Sequence, residues 1–200
     1  MLADMYHEYP AAPPGAVLWT RTVPAGGGTV PVLPDGCVDL IWVDGELLVA
    51  GPDTVAHPAE AAAGTRYVGL RFAPGTGPAV LGVPGYELRD ARVPLAAPRL
   101  AAVDPLAATV VDRLRRGDTV AATAAAVGLG ERALHRRCRS AFGYGPKVLA
   151  RILRLQRALA QARRGVPFAT VAAGCGYADQ AHLAREVRAL TGTNLSRLAG

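Results

Sequence analysis

Proline and glycine set the first limit on what this chain can form. Through the first hundred residues they come in clusters: Pro13-Pro14-Gly15, Gly26-Gly27-Gly28, Pro34-Asp35-Gly36, Asp44-Gly45, Gly51-Pro52 and Pro74-Gly75. Each cluster removes backbone donors or admits left-handed conformations, so no long helix fits between them. The intervening runs at 17–23, 30–33, 37–43, 46–50 and 66–72 are short and rich in β-branched and aromatic residues, which reads as strands. Asp44-Gly45 between two of them reads as a tight hairpin turn. Residues 79–81 read as one helical turn and 83–95 as a loop bounded by Pro and Gly.

Past Asp104-Pro105 the texture changes to helix formers broken only by isolated glycines and prolines, at Gly117, Gly128, 143–146, 165–167, 174–176 and Gly192. Asp104 reads as an N-cap, with Leu106, Val110, Val111 and Leu114 as an apolar stripe that stops at Gly117. The breaks cut this half into about seven helical pieces. The predicted class is therefore α+β: a small, mainly antiparallel β-domain over residues 1–100, then an all-α domain over 101–200.

Charge divides at the same place. Residues 1–104 hold 6 Lys/Arg against 11 Asp/Glu, a balance of −5, whereas 105–200 hold 16 against 5, a balance of +11. A basic half of this size is the electrostatic footprint of a polyanion binder, because each neutralised phosphate releases condensed counterion. With 50% hydrophobic and 19% charged residues the chain has the composition of a folded protein rather than a disordered one. No apolar run approaches the roughly 18 residues that span a bilayer, and Asp4 and Glu8 stand where a secretory signal needs a basic start, so the cytoplasm is the expected location. Three cysteines, Cys37, Cys138 and Cys175, fit neither a disulfide framework nor a paired zinc motif and are expected to be reduced thiols; no metal or other cofactor is expected.

The helical half repeats itself. A shift of 49 residues lays Leu134-x-Arg136-x-Cys138-Arg139 on Leu183-x-Arg185-x-Val187-Arg188 and Gly143 on Gly192. Each copy follows an Ala-rich segment and a glycine turn, which is the pattern of a helix-turn-helix occurring twice. Between the copies, residues 147–164 read as one helix of about 27 Å, with Val148, Ile152, Leu155 and Leu159 on one face. Two units held at that separation suit successive major grooves on one side of a duplex, which recur about every 34 Å.

These residues carry a resemblance. Leu134-His135-Arg136-Arg137-Cys138 with Gly143-Tyr144-Gly145-Pro146, then Arg154-Leu155-Gln156-Arg157-Ala158-Leu159, then 176–187 beginning Gly176-Tyr177-Ala178-Asp179-Gln180, resemble the DNA-binding domain of the AraC/XylS family of bacterial transcription regulators over roughly residues 105–198. The N-terminal motifs 33–42, Gly51-Pro52-Asp53 and 69–75 are similar to a short β-rich sensor domain of one branch of that family, which implies a cupin-like or half-barrel fold. The resemblance implies a sequence-specific DNA-binding regulator, with double-stranded DNA as partner, a small-molecule effector on the N-terminal domain and a contact with RNA polymerase.

The expected DNA-facing residues are Arg132, His135, Arg136 and Arg139 in the first unit, and Gln180, Ala181, Ala184, Arg185 and Arg188 in the second. Arg pairs bidentately with guanine and Gln with adenine. The resemblance places Arg154 beside Asp179, as an ion pair that orients the second unit. On the 37–43 strand, alternation puts Val38, Leu40 and Trp42 on one face, an apolar lining to which Arg66 or Arg71 adds a charge for an anionic effector. Two other readings compete: an N-terminal domain that serves only protein interaction or dimerisation, and a cysteine-dependent enzyme built on Cys37 with Asp39 or His57. No motif sets a histidine beside Cys37, and no phosphate-binding Gly-x-x-x-x-Gly-Lys-Ser/Thr loop occurs. With two reading heads in one chain and a short connection over 96–106, the expected state is a monomer or a weak homodimer.

Overall fold

The computed structural model describes residues 5–95 and 104–200. The expected domain boundary near residue 100 lies outside them.

Among the described residues the first half is built from eight strands and two short helices: β1 (Met5–Ala11), β2 (Ala16–Thr22), β3 (Gly28–Val32), β4 (Val38–Val43), β5 (Glu46–Ala50), β6 (His57–Ala61), β7 (Arg66–Phe72), α1 (Gly77–Leu81), α2 (Gly85–Leu88) and β8 (Arg92–Pro94). Six strands form one sheet in the order β1-β2-β7-β4-β5-β8, and β3 pairs with β6 in a separate ribbon. Every pairing is antiparallel. The Asp44-Gly45 turn joins β4 to β5 with both residues at positive φ, 50° and 84°, as a two-residue hairpin that twists with its strands requires. β5 and β7 match their predicted spans. β1, β6 and β8 were not legible: His57-Pro58-Ala59-Glu60-Ala61 and Arg92-Val93-Pro94 carry prolines and are strands because β3 and β5 supply partners.

One face of the large sheet packs against α1 and α2, where Val38, Val49 and Phe72 bury with Leu81 and Leu88. Val38 lies so close to α1 that a Cβ on Gly77 would stand 2.6 Å from its side chain.

The second half holds α3 (Ala107–Arg116), α4 (Val120–Ala126), α5 (Glu131–Phe142), α6 (Pro146–Arg163), α7 (Phe168–Cys175), α8 (Gln180–Thr191) and α9 (Leu195–Ala199). Caps follow the chemistry of the sequence. Thr119 Oγ1 accepts from Ala122 N, Asp179 Oδ1 from His182 N, and Asn194 Oδ1 from Arg197 N, each satisfying an orphan helix donor. Asp104 is not the N-cap expected of it: its Oδ1 accepts from Leu106 N in a turn, and α3 starts at Ala107, two residues later than that cap implied. Two apolar cores share α6. Leu149, Ile152 and Leu153 pack with Leu134, Cys138 and Phe142 of α5 and with Val110, Val111 and Leu114 of α3. Leu155, Ala158, Leu159 and Ala162 pack with Val171, Leu183, Val187, Leu190 and Leu195. The predicted single stripe on this helix is thus wider in the fold, because α6 is covered from several sides.

Candidate nucleic-acid interface

Each helix-turn-helix presents a second helix whose inner stripe is fixed by burial. In α5, Leu134, Cys138 and Phe142 point inward, leaving Arg132, His135, Arg136 and Arg139 exposed. In α8, Leu183, Val187 and Leu190 point inward, and Gln180, Ala181, Ala184, Arg185 and Arg188 are exposed. All nine residues expected to face DNA therefore sit on the outer surface of these two helices. Cys138 and Cys175 are core residues; burial, with Asp104 adding to it, pushes the Cys138 thiol up to about 12.

The nine are not equivalent. The Arg139 guanidinium stacks 5.4 Å from the centre of the Tyr86 ring of α2, and the His135 ring lies against Gly145, where an added Cβ would stand 2.6 Å from Nε2. Both also border a groove shared with Thr54, Arg89 and Asp90 of the β-domain. Arg137, one step round the helix, pairs with Asp104 at 3.0 Å.

The arginines of α6 act as struts. Arg151 donates to both carboxylate oxygens of Glu186 at 3.0 and 3.1 Å, and Arg154 reaches Glu186 Oε2 at 3.5 Å while stacking 4.5 Å over Tyr177. Arg157 donates to the carbonyls of Arg115 and Cys175 and so ties α3 to α7. The expected Arg154–Asp179 pair is not the contact formed. Asp179 is engaged as the cap of α8, and Glu186, seven residues later on the same helix, receives Arg154 instead. Sequence reasoning missed Glu186. Its signal was present, as the sole acidic residue of α8 beneath two arginines one turn apart on α6.

Burial alone would raise the Glu186 carboxyl, but the Arg151 hydrogen bond and the charges of Arg151 and Arg154 hold it below its ordinary value of 4.5. A depressed folded value means that the clasp stabilises the fold above the unfolded pKa and that this contribution is lost as pH falls through the folded one. Glu186→Gln is expected to cost about 1 kcal/mol, a charge-assisted bond discounted for the half-exposed Arg151 head. Thermal unfolding at pH 7 and pH 3 checks it: the gap between wild type and variant should narrow at the lower pH.

A second site lies in the β-domain. The large sheet and the β3–β6 ribbon enclose a cavity of about 380 Å³ lined by Tyr6, Trp19, Asp39, Ile41, Tyr67 and Arg71, among others. It stands on the face of β4 opposite to the expected one. Val38 and Leu40 belong to the core against α1 and α2, Trp42 on that same side is 50% exposed, and Arg66 is exposed outside the cavity. Of the five residues expected to meet an effector, Arg71 alone lines it.

The Arg71 head is already matched: it donates to Asp39 at 3.2 Å and lies 3.6 Å from Asp35. Burial opposes its charge, but these two carboxylates outweigh burial and raise its pKa. Asp39 also accepts from Trp19 Nε1 at 2.6 Å; burial lifts its carboxyl above the ordinary range against those two donors. Arg92 is held bidentately by Asp53, at 2.9 and 2.6 Å. The Trp19 indole covers Gly69 on β7 so closely that a Cβ there would overlap it. Cys37 and His57 line the same cavity, yet burial, with the Asp35 and Asp39 charges, drives the Cys37 thiol well up, the opposite of what a nucleophilic thiolate needs. Among the described residues no group of His, Cys, Asp and Glu is arranged to hold a metal, and no helix is long and apolar enough to cross a membrane.

Two family models match the chain. Residues 123–199 match the family described as "Helix-turn-helix domain", and residues 16–94 match "Domain of unknown function (DUF6597)". Among solved structures, a variant of apo ToxT from Vibrio cholerae is similar at 8% identity with a TM-score of 0.54, covering 92% of this chain and 97% of that one. A probable AraC family transcriptional regulator from Rhodopseudomonas palustris aligns at 24% identity and a TM-score of 0.39, over 46% of this chain and 88% of that one. A DNA-binding transcriptional dual regulator from Escherichia coli K-12 aligns at 20% identity and 0.40, over 46% and 83%. No curated protein matches the chain. The ToxT likeness runs through both halves, so the order of antiparallel sheet followed by helix-turn-helix region is a shared fold.

Proposed function

We propose that this chain, with a helix-turn-helix domain behind an antiparallel β-domain, is a transcription regulator of the AraC type that reads two clusters of base pairs with α5 and α8. The observation that carries the reading is the pairing of two exposed arginine-bearing helices, each with a buried stripe, on one shared helix α6. Arg132 and Arg136 of α5, and Gln180, Arg185 and Arg188 of α8, supply base and phosphate contacts, with Ala181 and Ala184 allowing close approach to the groove. His135 and Arg139 flank the α5 surface on the side of the β-domain.

Arg136→Ala and Arg185→Ala are each expected to weaken binding by about 1–3 kcal/mol and to relax specificity in separate base clusters about one turn apart. Footprinting of both variants on a duplex selected from random sequence is the measurement. Loss mapping to a single cluster for both would remove the bipartite reading.

The cavity is the proposed effector site. Arg71 and Arg92 in its lining are matched by Asp39 and Asp53, which favours a neutral or weakly charged small molecule over the anion expected at first. A thermal-shift screen on the full chain tests occupancy. The regulator would work beside the chromosome in the cytoplasm, contact RNA polymerase from its bound site, and sediment as a monomer or weak homodimer at micromolar concentration.

A further inference from the structure

Two motifs of the β-domain have two working sides. In Leu33-Pro34-Asp35-Gly36-Cys37, the residues Leu33, Asp35 and Cys37 line the cavity. Pro34 between them is fully buried, and its carbonyl accepts from Gln156 Nε2 of α6 at 2.6 Å. Gly36, at φ 86°, faces Leu149 of α6. In Gly51-Pro52-Asp53, the outer two residues line the cavity, and the Pro52 ring meets Gly143, the C-cap of α5, at 2.8 Å from where a Cβ would stand. Three residues later Ala56 N donates to the Leu190 carbonyl of α8 at 2.7 Å.

These contacts reach both reading helices at once. α2 adds to the α5 side: a Cβ on Gly85 would stand 2.5 Å from Gly143 N, so backbone lies on backbone, and Tyr86 receives Arg139. Asp90 joins α2 to the same loop, accepting from Thr54 N at 2.6 Å and donating its own N–H to the Pro52 carbonyl at 3.2 Å. Without the β-domain, α6 and its struts alone would set the angle between the two units. With it, a third body touches α5, α6 and α8 and closes the ring of contacts, and tightly packed contacts of this kind shift as units rather than deform continuously.

We infer that Pro34, Pro52 and Ala56 are positioning residues for DNA reading: the loops that carry them fix the spacing of α5 and α8 and pass the state of the cavity, which forms their other wall, to that spacing. The inference rests on the proposed reading of α5, α8 and the cavity, and it deepens that reading by naming how the site regulates.

The test has two arms, both on the full chain. In the first, duplexes carrying one or two base pairs inserted between the contacted clusters are compared. Wild type is expected to lose about tenfold in affinity per inserted pair, since half-site spacing is a geometric property of a rigid reader. Gly85→Val, which forces α2 off Gly143, is expected to lose much less. Should that variant fail to fold, Tyr86→Ala with Gln156→Ala removes contacts without adding bulk. Equal spacing tolerance in wild type and docking variants would overturn the positioning role.

The second arm needs neither DNA nor a ligand. Ala59→Trp fills the cavity from β6, and hydrogen exchange is followed along the chain. Altered exchange at 139–144 and 188–192, segments outside the cavity lining, is the expected result; changes confined to 30–72 would overturn transmission. If the wild type binds no selected duplex, the regulator reading fails by itself, while the exchange arm still decides whether the cavity and the reading helices are coupled.

Discussion

Raising salt from 50 to 200 mM is expected to weaken DNA binding by roughly 500-fold to 6000-fold, the consequence of about five to seven phosphate contacts at a log–log slope near −0.9 each. The expected contacts come from the basic half: Arg132, Arg136, Arg185 and Arg188 on α5 and α8, with exposed Lys147, Arg163 and Arg164 at the ends of α6. The arginines of the α6 interior are not expected to add to the slope, because Arg151 and Arg154 are paired with Glu186 and the part-buried Arg157 is turned inward between α3 and α7. Titrations at four or five salt concentrations give the slope directly. A flat response would mean that the +11 balance of residues 105–200 is a solvated surface and not a footprint. Arg136→Ala should reduce the slope only slightly if its contact is to a base, which separates reading from positioning at that residue.

Leu155→Ala is expected to destabilise the chain by about 2–5 kcal/mol, a large part of the roughly 5–15 kcal/mol that folds a typical domain. Leu155 is completely buried in the second helical core, where α6 meets Val171, Leu183 and Val187. Deleting its branched end removes transfer free energy and leaves a cavity that these helices cannot close, since Arg151 and Arg154 clamp α8 to α6 on the neighbouring face. The effect should appear as a fall in the unfolding midpoint of about 2–4 °C per kcal/mol for a chain of this size. Binding should then lose the α8 base cluster before the α5 cluster, whose core is the separate one around Ile152 and Leu134. Simultaneous loss of both clusters would show that the two cores unfold as one.

The helical half was largely legible because its determinants are local. Thr119, Asp179 and Asn194 cap helices through side chains that reach only three residues, and Gly117, Gly143 and Gly192 end helices at φ values of 100°, 83° and 70° that L-residues rarely adopt. The repeat then told which helices were equivalent, and the 3.6 period told which side of each is buried; α5 and α8 expose every residue that this argument selected.

The β-domain was legible only in part, for the converse reason. Alternation along 37–43 separated Val38, Leu40 and Trp42 from Cys37, Asp39 and Ile41 correctly, yet both sets carry apolar residues, and the period says nothing about which side faces a cavity. That was decided by α1 and α2, which cover Val38 and Phe72 and leave Asp39 to Trp19 and Arg71. Long-range pairing likewise made strands of β1, β6 and β8 and chose Glu186 over Asp179 for Arg154. By itself the sequence determined where the helices run, the buried stripes of α5 and α8 and the charge that separates the halves, because glycine stops and the helical period act within one or two turns. Only the tertiary structure decided which sheet face is hollow, which carboxylate takes each arginine, and that the Pro34 and Pro52 loops meet the helical half, because each joins residues tens of positions apart whose proximity exists only once the chain has closed.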